Sequence, residues 1–183
     1  MASALIDPKT GKPFASKPKS LAAVDLLIVH HGDVGTERWT PQRFIEYRHE
    51  SARALQASQK KQGKSGDLYA FSGYGYNAII WPNGEIFFDV PLEETTWSAG
   101  GLNSRSFSAC MAGNYMKDLP PEPALKRLEQ TLVAWQRRRG WMAQIIGHRD
   151  GIRFSKNATR TSCPGDKMHA YLPTMIRRVE GYR

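Results

Sequence analysis

His148 and Cys163, with one of the adjacent pair His30 and His31, offer the donor types of a zinc site with one position left open. The histidine pair closes the apolar run Leu26-Leu27-Ile28-Val29. His148 follows Ile145-Ile146-Gly147, and Cys163 stands in Thr161-Ser162-Cys163-Pro164-Gly165. Zinc accepts imidazole and thiolate, and three protein ligands with a fourth position for water make a catalytic centre. The combination points to a hydrolase rather than a binding module. A lone histidine at a strand end is more often structural, so the metal site rests on the conjunction of two such histidines with a loop cysteine. His148 and Cys163 lie too far apart for the paired spacing of a compact structural finger.

The elements around these residues must hold them still. A sheet fixes its backbone while side chains at strand ends reach outward, and the unbroken apolar run Leu26 to His30 reads as a short buried strand. Thr40-Pro41 opens a helix, threonine as cap and proline at the first helical position. Phe44, Tyr47, Ala52 and Leu55 form its apolar face, and it fades into Lys60 to Lys64. Gly63, Gly66, Gly73 and Gly75 mark a long connection. Tyr76 to Trp81 and Glu85 to Val90 flank Pro82-Asn83-Gly84, the turn signal of a hairpin. Ser106 to Gly113 is a further strand. Pro121 to Arg139 is the clearest helix, with Leu125, Leu128, Leu132 and Trp135 on one face and Gly140 past its end. Ala143 to Gly147 is a last strand that delivers His148. Met168 to Val179 has helical spacing, with a kink or a second helix start expected at Pro173. Strands interspersed with three helices, without a repeat, describe one α/β domain, a sheet covered by helices. Residues 23–183 are assigned to that domain and residues 1–22 to a polar, basic tail.

The chain has 183 residues, 40% of them hydrophobic, with five tryptophans, enough for one sizeable core. No apolar run approaches the roughly 20 residues that span a bilayer. Met1 to Lys19 lacks the apolar centre of a secretory signal, so synthesis in the cytoplasm is expected. The net charge of +9 favours polyanionic partners. The basic runs (Lys9 to Lys19, Lys60 to Lys64, Arg137 to Arg139, Arg177 to Arg183) lack a nucleic-acid signature, and no specific nucleic acid is expected. Arg137 to Arg139 suit the C-terminal dipole of their helix. Two cysteines exclude a disulfide scaffold. Cys110, in Phe107-Ser108-Ala109-Cys110, reads as a small buried hydrophobe unrelated to Cys163.

Four segments in this order resemble a known family: Ile28-Val29-His30-His31, Gly75-Tyr76-Asn77, Gly147-His148-Arg149-Asp150 and Thr161-Ser162-Cys163-Pro164-Gly165. They are similar to the zinc-dependent type 2 N-acetylmuramoyl-L-alanine amidases, which include short phage lysins and the animal peptidoglycan recognition proteins. The resemblance spans Asp25 to Met175, and Ala99 to Ser104 resembles the family's Gly-Asn segment beside the groove. It implies a central mixed sheet flanked by helices, and zinc ligands at His30, His148 and Cys163. His30 matches better than His31, and strand alternation lets only one of the pair face the metal easily. The implied substrate is the amide between the lactyl group of N-acetylmuramic acid and L-alanine of the peptidoglycan stem. The resemblance gives Tyr76 the task of hydrogen-bonding the water or the oxyanion, and Thr161 that of assisting at the carbonyl. Without it, Tyr76 reads as a packed strand residue. Asp150 is either an orienting carboxylate behind a ligand or an ordinary loop residue. The chain departs from many relatives at Ser98, where they carry histidine.

The expected protein is thus a monomeric phage or prophage lysin that acts on the bacterial wall. Three rivals remain: a non-catalytic peptidoglycan-binding module, a nucleic-acid-binding protein, and a cysteine-nucleophile enzyme built on Cys163 and His148. Relatives of the first kind typically lose the cysteine, and loss of activity on chelation separates a zinc hydrolase from the third.

Overall fold

Leu26–His31 is buried at every position, the pattern of a strand covered on both faces. The computed structural model describes residues 18–32 and 75–183, with isolated positions between 40 and 61. Its strands are β1 (Leu26–His31), β2 (Ala78–Ile80), β3 (Ile86–Phe87), β4 (Ser106–Met111) and β5 (Gln144–Gly147). Among residues 75–183 the long helices are α1 (Glu122–Arg138) and α2 (Asp166–Glu180), and a six-residue 3-10 helix, His148–Arg153, follows β5 directly. The sheet runs in the order β3-β2-β4-β1-β5, parallel except where β3 folds back on β2. One α/β domain with a mixed five-stranded sheet results.

The sheet divides the interior into two unlike halves. On one face Leu27, Val29, Phe107, Ala109 and Met111 pack against Leu128, Leu132 and Trp135 of α1 and Met168, Leu172 and Met175 of α2. Phe107 and Trp135 meet edge to face, their ring centroids 5.5 Å apart. The opposite face carries two smaller clusters. Leu26 and Ile28 meet Ala99, Leu102 and Ile146, with Phe154 and Ala158 at the edge, and Tyr76 packs with Ile79, Trp81 and Cys110. Among the described residues these covers are loops and 3-10 turns rather than long helices.

The hairpin forms where expected but with shorter strands, closed by Trp81 N–H to Glu85 O at 2.8 Å and Gly84 N–H to Trp81 O at 2.9 Å. Cys110 is fully buried, and both cysteines are free thiols. The alternative of a second helix start at Pro173 is not what forms: α2 begins at Asp166 and runs on through Pro173. Pro173 lies on the exposed side of α2, where water can serve the carbonyl that proline leaves without a donor. Thr40 accepts the Arg43 backbone N–H at 3.2 Å, as a helix cap would. Most of the helix expected after it, with Phe44, Ala52 and Leu55, lies outside the described residues, as does the tail up to residue 17. The end of that tail lies against the domain. Pro18 bridges Glu94, and the Lys19 ammonium donates to Ser106 O at 2.6 Å beneath the Phe107 ring. Burial lowers the Lys19 pKa to about 8. No helix among the described residues is long and apolar enough to cross a membrane.

Candidate metal centre and its groove

Alternation along β1 sends its two histidines to opposite faces of the sheet. His31 has the parity of Leu27 and Val29, the face packed by α1 and α2, and its Nδ1 accepts the Tyr115 backbone N–H at 3.2 Å. His30 has the parity of Leu26 and Ile28 and emerges on the loop-covered face. There its ring lies 4.5 Å from His148 and 5.0 Å from Tyr76, centroid to centroid.

β5 lies beside β1 with Val29 opposite Gly147, so His148 leaves the sheet next to His30. Cys163 completes the group. The donor atoms of His30, His148 and Cys163 all lie within 4.8 Å of one another, and Cys163 Sγ is 3.6 Å from His30 Nδ1. Tetrahedral zinc bonds of about 2.0–2.1 Å to nitrogen and 2.3 Å to sulfur place such a pair of ligands about 3.6 Å apart. His148 Nε2 is buried with no hydrogen-bond partner among the described residues, which is costly for a polar atom unless something else occupies it. Burial, with a smaller push from His31, lowers the His148 pKa to about 4, so the ring is neutral near pH 7 and keeps its lone pair. The His31 backbone N–H donates to Cys163 Sγ at 3.3 Å, a contact that favours thiolate. These residues fit a zinc ion.

The segments bearing His148 and Cys163 are tied to each other. The Arg149 backbone N–H donates to Cys163 O at 2.8 Å, and its guanidinium bonds Ser162 O and pairs with Asp166 at 2.8 Å. Asp150 has no hydrogen bond to the His30 or His148 ring among the described residues. One of its oxygens accepts Gly147 N–H at 3.2 Å and meets His169 Nε2 of α2 at 2.9 Å, which braces the turn into His148. Behind Cys163 the loop presses on Tyr115: a Cβ at Gly165 would stand 2.4 Å from the Tyr115 carbonyl, and φ there is +93°. Only glycine fits.

A groove of about 440 Å3 opens beside His148, lined by Trp97, Ser98, Asn103, Arg160 and Thr161 among others. Thr161 Oγ1 accepts the Cys163 backbone N–H at 3.1 Å, which leaves its own proton for an acceptor in the groove. Ser98, where the family resemblance leads one to expect histidine, hydrogen-bonds Ser108 Oγ at 2.6 Å. Asn103 accepts Ser98 and Ala99 N–H at 3.0 and 2.8 Å, so the expected Gly-Asn segment does form the groove wall. Tyr76 is held from below by Asn77. That amide donates to Val90 O and Pro91 O, both at 3.0 Å, and accepts Ser108 N–H at 3.0 Å. Sequence reasoning passed over the bracing by Asn77 and Arg149 and the place of Arg160. Asn77 and Arg149 stood inside quoted motifs, but nothing in their spacing tells which carbonyls they meet.

The fold recurs in known proteins. The fold is shared with the N-acetylmuramoyl-L-alanine amidase LysC from Clostridium intestinale URNW, at a TM-score of 0.66 and 18% identity, over 92% of this chain and 93% of that one. Drosophila PGRP-LB shares it at a TM-score of 0.62 and 20% identity, over 88% and 86% of the two chains. In sequence the chain is 26% identical over 166 residues to the human N-acetylmuramoyl-L-alanine amidase, covering 88% of this chain and 26% of the human protein. It thus spans about a quarter of that relative's length. Residues 20–166 match the family described as N-acetylmuramoyl-L-alanine amidase (Amidase_2), a stretch that contains every residue of the candidate centre, and the chain belongs to that family.

Proposed function

We propose that this chain is a zinc-dependent peptidoglycan amidase that cleaves between the lactyl group of N-acetylmuramic acid and L-alanine of the stem peptide. The observation that carries this is the gathering of His30, His148 and Cys163 donors within 4.8 Å at the head of a groove, in a member of this family. His30, His148 and Cys163 would hold the metal. Zinc, when bound, supplies Lewis acidity toward water and the amide carbonyl. The protein supplies the rest. Tyr76, packed against His30, presents a phenol to the oxyanion, and the Thr161 hydroxyl donates to the same oxygen from the groove side. Arg149 and Asp150 hold the two ligand-bearing segments in register, so little reorganisation is needed during reaction.

Residues 23–183 form the catalytic domain in this account, preceded by a basic tail, and the chain works as a monomeric phage or prophage lysin on the cell wall. The charge of +9 suits an anionic wall. Mass spectrometry of purified peptidoglycan after digestion tests the chemistry. Intact stem peptides with a free N-terminal alanine, released with zinc and not with a chelator, are expected. Undigested wall that retains bound protein under both conditions would instead mean a recognition module.

A further inference from the structure

Charge shows which half of the substrate lies in the groove beside His148. Of the side chains that line it, Arg160 alone carries a permanent charge, and none is acidic. Four other arginines are held in ion pairs, Arg105 with Asp25, Arg138 with Glu93, Arg149 with Asp166 and Arg178 with Glu129, and none of the remaining ones lines this groove except Arg160. Arg160 has no hydrogen bond or ion pair among the described residues, although it stands three residues before Cys163. Its loop is not loose. Gly101 (φ +73°) lets the opposite wall approach so closely that a Cβ there would stand 2.6 Å from Ser155 Oγ and 3.1 Å from Asn157 Cβ. The segment carrying Arg160 is therefore packed against the Gly100-Gly101 wall, and its guanidinium has the groove to serve.

We propose that this groove takes the stem peptide, and that Arg160 binds a backbone carboxylate of the residue after L-alanine. The assignment rests on the amidase reading for its substrate. The glycan side of the scissile amide is uncharged because the lactyl carboxyl is tied up in that amide, whereas the peptide side carries carboxylates. A guanidinium grips a carboxylate through two parallel N–H···O bonds and gains much less from a carboxamide. Arg160 thus selects stems whose second residue, a γ-linked glutamate, keeps its α-carboxylate, and discriminates against stems in which that group is amidated.

Two peptides without a scissile muramoyl amide test this whether or not the chain is an amidase. They are the C-terminally amidated tripeptide L-alanyl-γ-D-glutamyl-L-lysine and its α-carboxamide counterpart, titrated into the full chain by calorimetry. The carboxylate form is expected to bind at least about tenfold tighter, the size of one good charge-assisted pair. In Arg160→Gln the two peptides should bind within about twofold of each other, and Arg160→Lys should restore part of the preference. Arg160 is exposed, so the variants should melt with the wild type. Equal affinities in the wild type, binding of neither peptide, or a preference that survives in Arg160→Gln would overturn the assignment. Failure of peptidoglycan digestion with the peptide preference intact would overturn the amidase reading alone.

Discussion

His30 and His31 are chain neighbours of one residue type, both buried, yet they belong to different parts of the molecule. His31 sits on the helix-packed face and spends its ring on the Tyr115 backbone. His30 faces the loop-covered side, within reach of a second imidazole and a thiol. The helical face is a deep apolar core in which a polar atom must be matched by a local partner. Among the described residues the loop-covered face is assembled from chain segments far apart in sequence, each delivering one polar group, and it carries the groove. The first half supplies rigidity and the second supplies chemistry. A single strand joins them.

That division can be broken from either side. Removing a donor should have the largest effect: Cys163→Ser should lose zinc by more than about a hundredfold in affinity, since even residues behind metal ligands cost 10–100-fold. Activity should go with it. Elemental analysis together with the digestion assay decides this, and a fully loaded, active Cys163→Ser would remove the cysteine from the centre. On the other face, Leu128→Ala should cost roughly 2–5 kcal/mol of stability through the cavity it leaves. At temperatures where that variant is folded its zinc content should equal that of the wild type. Denaturant titration beside metal analysis would show whether the two faces are as separable as the packing implies.

Smaller changes sharpen the contrast within the site. Tyr76→Phe keeps the ring against His30 but removes the phenol. Turnover should fall by about a hundredfold, with zinc affinity and melting temperature unchanged. An unaltered rate would return Tyr76 to a packing role in its cluster. Arg149→Gln should be milder. It loosens the link between the His148 and Cys163 segments, so zinc affinity measured against a competing chelator should drop by about tenfold. A drop in melting temperature with unaltered affinity would make Arg149 a general brace rather than one for the centre.

The buried strands and α1 were legible in the sequence because each has a local signature. A parallel strand covered on both sides reads as an unbroken apolar run, and α1 shows one apolar stripe ending at a glycine. Whether Pro173 starts a new helix was not legible, because the cost of an internal proline depends on whether the freed carbonyl meets water, which depends on which side packs. At the candidate centre the motifs located the donors, but only the register of β1 between β4 and β5 shows which histidine faces them. Arg149 and Arg160 were invisible for a related reason. One is committed and the other unpaired among the described residues only because the loop of residues 155–163 lies where it does, and no local pattern encodes that placement.

Zinc would be held on the loop-covered face through His30. Equilibrium dialysis of the wild type, His30→Ala and His31→Ala against zinc, followed by metal analysis, tests it directly. The account predicts one zinc per chain in the wild type and in folded His31→Ala, with none retained by His30→Ala. His31→Ala should instead lose about 1–3 kcal/mol of stability from the Tyr115 N–H it strands. Zinc retained by His30→Ala and lost from His31→Ala would place the metal on the wrong face of the sheet and contradict the account.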